Sequence, residues 1–231
     1  MEAIRLQDCA AARVRRVELD GETFWLKRPE RRASLRWRLQ KGDPRRAFEA
    51  DLAGLRFMGA KGLPAPAVLL VGPDHFVTED AGRPIDEVLR DDPEAEGVRA
   101  VVAATETLAA LHRAGARHGR PKLRDICWDG QNARLIDFER FRTAAGARAM
   151  GLDWVIMLHS LLETRVGPRA AFDAAVQTYR EKGPTAAVMA GAGLVRAVGW
   201  VTPGLRLALR LRPKNREIVG ATRLAQAFEN A

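Results

Sequence analysis

The stretch that most constrains this chain runs from Leu111 to Phe141, LHRAGARHGRPKLRDICWDGQNARLIDFERF. It reads as a helix end, a polar loop and a hairpin closing on an acidic turn. Leu108, Leu111 and the alanines between them keep helical spacing up to Gly115, a C-terminal stop. Two short apolar runs, Ile126 to Trp128 and Ala133 to Ile136, flank Asp129-Gly130, which is a strong short-range hairpin signal. Asp125 and Asp137 then sit near opposite ends of one hairpin, which can bring them to a common mouth. Paired hard oxygen ligands of that kind suit Mg²⁺ held against phosphates.

The rest of the chain supplies a lysine strand and a helix to set against those acids. Ala11 to Leu19 and Glu22 to Arg28 are β-prone runs around Asp20-Gly21, a second hairpin. Period two places Trp25 and Lys27 on one face of the second run. Phe48, Leu52, Leu55 and Met58 share a stripe that predicts a helix from Arg45 to Ala60, ended by Gly59, Gly62 and Pro64. Pro66 to Val71 and His75 to Glu79 read as two further strands around Gly72-Pro73-Asp74, with His75 expected at the surface. Val98 to His112 reads as one long amphipathic helix leading into the polar loop.

The order helix, His-Gly loop, hairpin, Ile-Asp-Phe-Glu resembles the catalytic and metal loops of protein-kinase-like phosphotransferases. It most resembles the small bacterial lipopolysaccharide kinases, which phosphorylate Kdo or heptose. That family commonly reads HGDLHPGN where this chain reads HGRPKLRD. The resemblance implies an α+β, protein-kinase-like bilobal fold, with a reduced β-rich N-lobe over residues 1–80 and a helical C-lobe over 81–231. It implies ATP and Mg²⁺, with Asp137 as metal ligand and Asp125 where the family has its second ligand, Asn. Arg120 falls where the family has its catalytic Asp, and Lys122 follows in the same loop. In one reading Asp125 orients the acceptor while Arg120 and Lys122 grip its anionic group or the transferring phosphate.

Lys27 corresponds to the strand lysine that contacts the nucleotide phosphates. Its expected partner is Asp51, four residues before Leu55, with Glu49 as the fallback. Phe76 to Gly82 resembles the segment leading into the hinge, so the Glu79 carbonyl and Ala81 amide become candidates for adenine. His118 orders the loop, and Asp153, an acid in an otherwise apolar helix, is expected to accept hydrogen bonds from the His118-Gly119 backbone. No glycine-rich phosphate loop precedes Lys27, and Trp25 stands where the family has a small residue; it either stacks on the base or fills the pocket.

A net charge of +9, carried mostly by arginine, points to an acidic partner. Candidates are a nucleotide, an anionic sugar or glycolipid acceptor, or an anionic membrane; arginine bias in a GC-rich genome is the plainer account. Pro29 to Pro44 and Leu205 to Arg212 are both arginine-dense, readable as membrane-surface segments or as a solvated connector and a shielding element. The first interleaves aromatics with its arginines, but no nucleic-acid motif accompanies it, so nucleic acid is not the expected partner. Cys9 and Cys127 lack metal-ligand spacing and make no disulfide framework, and MEAIRLQDCA has no long apolar run, so no signal peptide is expected. The expected location is cytoplasmic, with a peripheral place at the inner face of the inner membrane as an option. Three functional readings stand: an active phosphotransferase; a pseudokinase that binds nucleotide and acts as a regulatory or scaffold protein; and, least expected, a basic membrane-surface or nucleic-acid module on a kinase-like core.

Overall fold

Asp20 and Gly21 both take positive φ, 52° and 80°, which lets a two-residue loop follow the twist of its strands. They join β1 (Val14–Leu19) to β2 (Glu22–Lys27), paired in register from Leu19 against Glu22 to Val14 against Lys27. These elements belong to a computed structural model that describes residues 12–30, 43–163 and 169–197. The expectations for Cys9, for most of Pro29 to Pro44 and for Leu205 to Arg212 lie outside the described residues.

β3 (Val68–Val71) and β4 (Phe76–Glu79) complete a four-stranded antiparallel sheet of order β1-β2-β4-β3. Lys27 pairs with Phe76 and Leu26 with Val77, so β2 runs through the middle of the sheet and ends on its lysine. His75 is buried rather than at the surface, because its ring folds back over Gly72, where a side chain would collide with it.

α1 (Pro44–Ala60) starts at Asp43, whose carboxylate accepts the Arg45 amide at 3.0 Å, with proline at the first helical position. It stops where Gly62 turns to φ 62° and the Leu63 amide bonds back to the Met58 carbonyl at 2.9 Å. The buried face carries Asp51, Gly54, Leu55 and Met58, and Phe48 meets Phe76 of the sheet at 5.1 Å between ring centres. Gly54 lies flat against Phe138, leaving no room for a β-carbon there.

Beyond the sheet come β5 (Arg83–Pro84), α2 (Ile85–Asp91), α3 (Glu94–Arg113), β6 (Ala116–Arg117), a 3-10 turn over Leu123–Asp125, β7 (Ile126–Trp128), β8 (Ala133–Leu135) and β9 (Arg142–Thr143). α4 (Ala147–Glu163) and α5 (Arg169–Lys182) follow, and residues 185–197 are helical. The core runs through Ala104, Leu108 and Leu111 of α3 and Leu158 of α4, with Trp154 stacked on Tyr179 at 4.6 Å.

One helix boundary departs from the sequence reading. α3 begins at Glu94, not Val98, because Pro93 and the acids Glu94 and Glu96 form a favourable first turn ahead of the apolar stripe. The Asp-Gly hairpin closes through residues 129–132, the interval left between the two apolar runs. The Asp129 carboxylate accepts the Gln131 and Asn132 amides at 2.8 and 2.7 Å, which holds it below the usual carboxylate range despite the opposing effect of its partial burial.

Candidate active site

Lys27 reaches the centre of the molecule because β2 ends there. Its ammonium lies 2.5 Å from Asp51 Oδ2 and 3.4 Å from Asp137 Oδ1. Burial is the largest influence and pushes the ammonium pKa down, but the two carboxylates outweigh it and hold it above its ordinary value. The other oxygen of Asp51 accepts the Phe138 amide at 2.7 Å, so one carboxylate only 2% exposed ties the sheet lysine to the acidic turn. Glu49, the fallback partner, does not approach Lys27; it faces solvent and pairs with Arg45 at 3.4 Å.

The hairpin does bring its two acids to one mouth. The Ile136 amide donates to the Asp125 carbonyl at 3.0 Å, closing the ladder next to both side chains. Asp137 is held in the left-handed region at φ 64°, an uncommon conformation for a residue with a side chain. Its second oxygen lies 3.7 Å from Arg120 Nη2. Asp125, 7% exposed, has its pKa raised to about 6, by burial first and by the Asp137 charge second. Its Oδ2 is buried and has no hydrogen-bond partner, while Oδ1 lies 3.6 Å from Arg124.

Asp125 and Asp137 fit a divalent cation. An orphaned buried oxygen is a ligand position waiting to be satisfied. Among the described residues no group of three or more His, Cys, Asp or Glu forms a metal cage. Mg²⁺ takes one or two carboxylates and completes its shell with phosphate and water.

The loop before Asp125 is fixed from below. The Asp153 carboxylate accepts the His118 amide at 2.7 Å and the Gly119 amide at 3.0 Å, the contact expected of it. Tyr179 hydroxyl lies 2.5 Å from His112 Nδ1, and His112 Nε2 lies 3.5 Å from Asp153. The Ile136 carbonyl, 2.8 Å from His118 Nε2, can only accept, so that nitrogen carries a hydrogen, and burial holds the His118 pKa below its ordinary value. Gly119, at φ 101°, presses on the Arg140 backbone, where only glycine fits. Lys122 turns away from the acids and pairs with Glu163 at 3.4 Å.

Two clefts meet at Lys27, Asp51 and Asp137. The first, about 610 Å³, is lined by Trp25, Leu55, Phe76 and Ile136, with Glu79, Asp80 and Ala81 among the residues lining it. Trp25 does not fill it: the indole N–H donates to Asp80 Oδ1 at 2.7 Å, and Asp80 Oδ2 accepts the Gly82 amide at 3.1 Å, so the ring forms part of the wall. The Glu79 side chain is engaged by Arg134 at 2.9 Å; Arg134 also reaches the Asp80 carbonyl at 3.2 Å and Asp129 at 3.0 Å. Sequence reasoning missed this brace, because nothing local marks an arginine in a three-residue strand as a clamp across 55 residues of chain. The second cleft, about 430 Å³, is lined by Arg13, Arg28, Arg120, Arg124 and Arg140 with Asp125. Arg13 is paired there with Glu139. The sequence reading assigned a part to Arg120 alone of these arginines.

These elements define a protein-kinase-like fold. An aminoglycoside-3'-phosphotransferase of type VIII superposes on this chain with a TM-score of 0.56, covering 95% of it and 90% of that enzyme at 16% identity. That likeness carries the fold. The bifunctional kinase-methyltransferase WbdD aligns at a TM-score of 0.47 and 17% identity, over 75% of this chain and 46% of WbdD. No family model matches the sequence. A Haemophilus influenzae protein described as uncharacterized is 28% identical over 142 residues, which are 61% of this chain and 56% of the relative.

Proposed function

We propose that this chain is an ATP-dependent phosphotransferase of the lipopolysaccharide-kinase type, acting on a hydroxyl of an anionic sugar or glycolipid. One observation carries the reading: Lys27, Asp51 and Asp137, separated by 24 and by 110 residues from lysine to acid, converge where two clefts meet. The apolar cleft suits a nucleobase against Trp25, with Glu79 and Ala81 offering backbone groups, and Lys27 takes the phosphates. Asp125 and Asp137 would hold Mg²⁺, which supplies neutralising charge to the phosphates when bound. Arg120 and Arg124 line the side from which an anionic acceptor would approach, and Asp125 is the carboxylate nearest to an orienting role for its hydroxyl. Lys122, committed to Glu163, is not part of this grip. The net charge of +9 suits an acceptor at an anionic membrane surface; among the described residues no helix is long and apolar enough to cross one.

The test is transfer of the labelled terminal phosphate of ATP to Kdo- and heptose-containing acceptors, or slow ATP hydrolysis, lost in Asp137→Ala and retained in Arg169→Gln. A second reading is favoured by Arg120, an arginine where the resemblance puts the catalytic aspartate and one that cannot serve as a base. If wild type and Asp137→Ala are equally inert while both bind nucleotide, the chain is a pseudokinase.

A further inference from the structure

Both acids at the hairpin mouth already face positive charge. Arg120 Nη2 lies 3.7 Å from Asp137 Oδ2, Lys27 Nζ 3.4 Å from Asp137 Oδ1, and Arg124 Nε 3.6 Å from Asp125 Oδ1. Across the whole arginine-lined cleft six basic side chains stand against five acidic ones, so the chain brings its own countercharge to this cleft. A guanidinium stays charged at any accessible pH and offers forked donors that match phosphate oxygens. A divalent cation entering here gives up hydration water and competes with Arg120 for Asp137 Oδ2, whereas a phosphate can take guanidinium donors that Asp137 does not engage.

Resting on the reading that the cleft takes a nucleotide, we propose that Arg120 and Arg124 are resident cations of this site. A nucleotide's terminal phosphates bind against Lys27, Arg120 and Arg124 without Mg²⁺. A divalent cation then competes with Arg120 for Asp137 and is not a condition for binding. Metal dependence belongs to phosphoryl transfer, not to occupancy. The role of Arg120 is thereby positional: it keeps Asp137 in place and presents charge to the phosphates, in the stead of the aspartate that the resemblance leads one to expect.

The experiment is titration calorimetry of ATP with the full chain, in EDTA and in Mg²⁺, for wild type, Arg120→Gln and Arg120→Lys. Wild-type Kd values in the two buffers should agree within about threefold, while Arg120→Gln weakens binding about tenfold or more in EDTA, the loss expected for a charged hydrogen bond. In Mg²⁺ Arg120→Gln should recover, and Arg120→Lys should stay near wild type in both. Ligand-free Arg120→Gln should also show a larger thermal shift with Mg²⁺ alone, because Asp137 is released. The side chain of Arg120 is 38% exposed, so these variants leave the core untouched. A wild-type affinity that falls about tenfold or more in EDTA, roughly 1.4 kcal/mol, overturns the proposal and leaves the nucleotide reading standing. So does an Arg120→Gln protein that binds like wild type without metal. Absence of ATP binding in both buffers overturns the proposal and the nucleotide reading together.

Discussion

Replacing Asp125 by asparagine should make the protein more stable at neutral pH, and the size of the gain follows from its surroundings. An acid moved from 3.8 to about 6 disfavours its charged form by about 3 kcal/mol, at ~1.4 kcal/mol per pH unit. The folded state binds this proton more tightly than the unfolded chain does. Stability is therefore unaffected below about pH 4, falls as pH rises toward ~6 and stays reduced above it. Asparagine removes the charge at nearly constant shape, so the gain should be ~3 kcal/mol at pH 8 and about half of that at pH 5. Allowing for the imperfect match of an amide to a protonated carboxyl, about 1–3 kcal/mol at pH 8 is expected, raising Tm by roughly 2–12 °C in a chain of this size. The assay is urea or thermal unfolding in EDTA at pH 5, 6, 7 and 8, so that no divalent cation offsets the burial. A variant that is no more stable than wild type at pH 8, or whose gain does not shrink toward pH 5, refutes the account of Asp125 as a buried, under-partnered charge.

Asp51→Ala strands the Phe138 amide and leaves the Lys27 ammonium only its 3.4 Å contact with Asp137, and should cost about 3–5 kcal/mol in urea unfolding; a loss under ~1 kcal/mol would contradict the bridging role. Gly54→Ala drives a methyl into the Phe138 ring and should cost about 1–3 kcal/mol, read as a lower Tm; an unchanged melt would mean that the helix and the acidic turn are not in contact. Burial pushes the Cys127 thiol up to about 12, so in a Cys9→Ser background iodoacetamide should leave the native protein unlabelled at pH 8 and label it in denaturant. Rapid native labelling would place Cys127 at an open surface.

The parts of this site that were legible in the sequence are those fixed by short-range chemistry. Asp20-Gly21 and Asp129-Gly130 mark reversals because few residues tolerate positive φ, and that alone brings Asp125 and Asp137 to one end of a hairpin. Helical periodicity separates Asp51 from Glu49, putting one on the buried face and the other in solvent. α2 was not legible: seven residues with Ile85, Val88 and Leu89 buried carry too little periodicity to stand out. The anchoring of Trp25 by Asp80 and the reach of Arg134 to Glu79 were invisible for another reason. Both cross 55 residues of sequence, and each depends on how the sheet sits against the hairpin. His75 misled because a turn residue is usually solvated, and its burial depends on the absence of a side chain at Gly72.

The double grip of Asp51 has a cost and a return. Because one oxygen holds the sheet lysine and the other the amide after Asp137, the chain has met the expense of gathering these groups while folding. On the proposed reading, a phosphate would meet an ammonium already aimed and acids already gathered, and need spend none of its own affinity on assembling them.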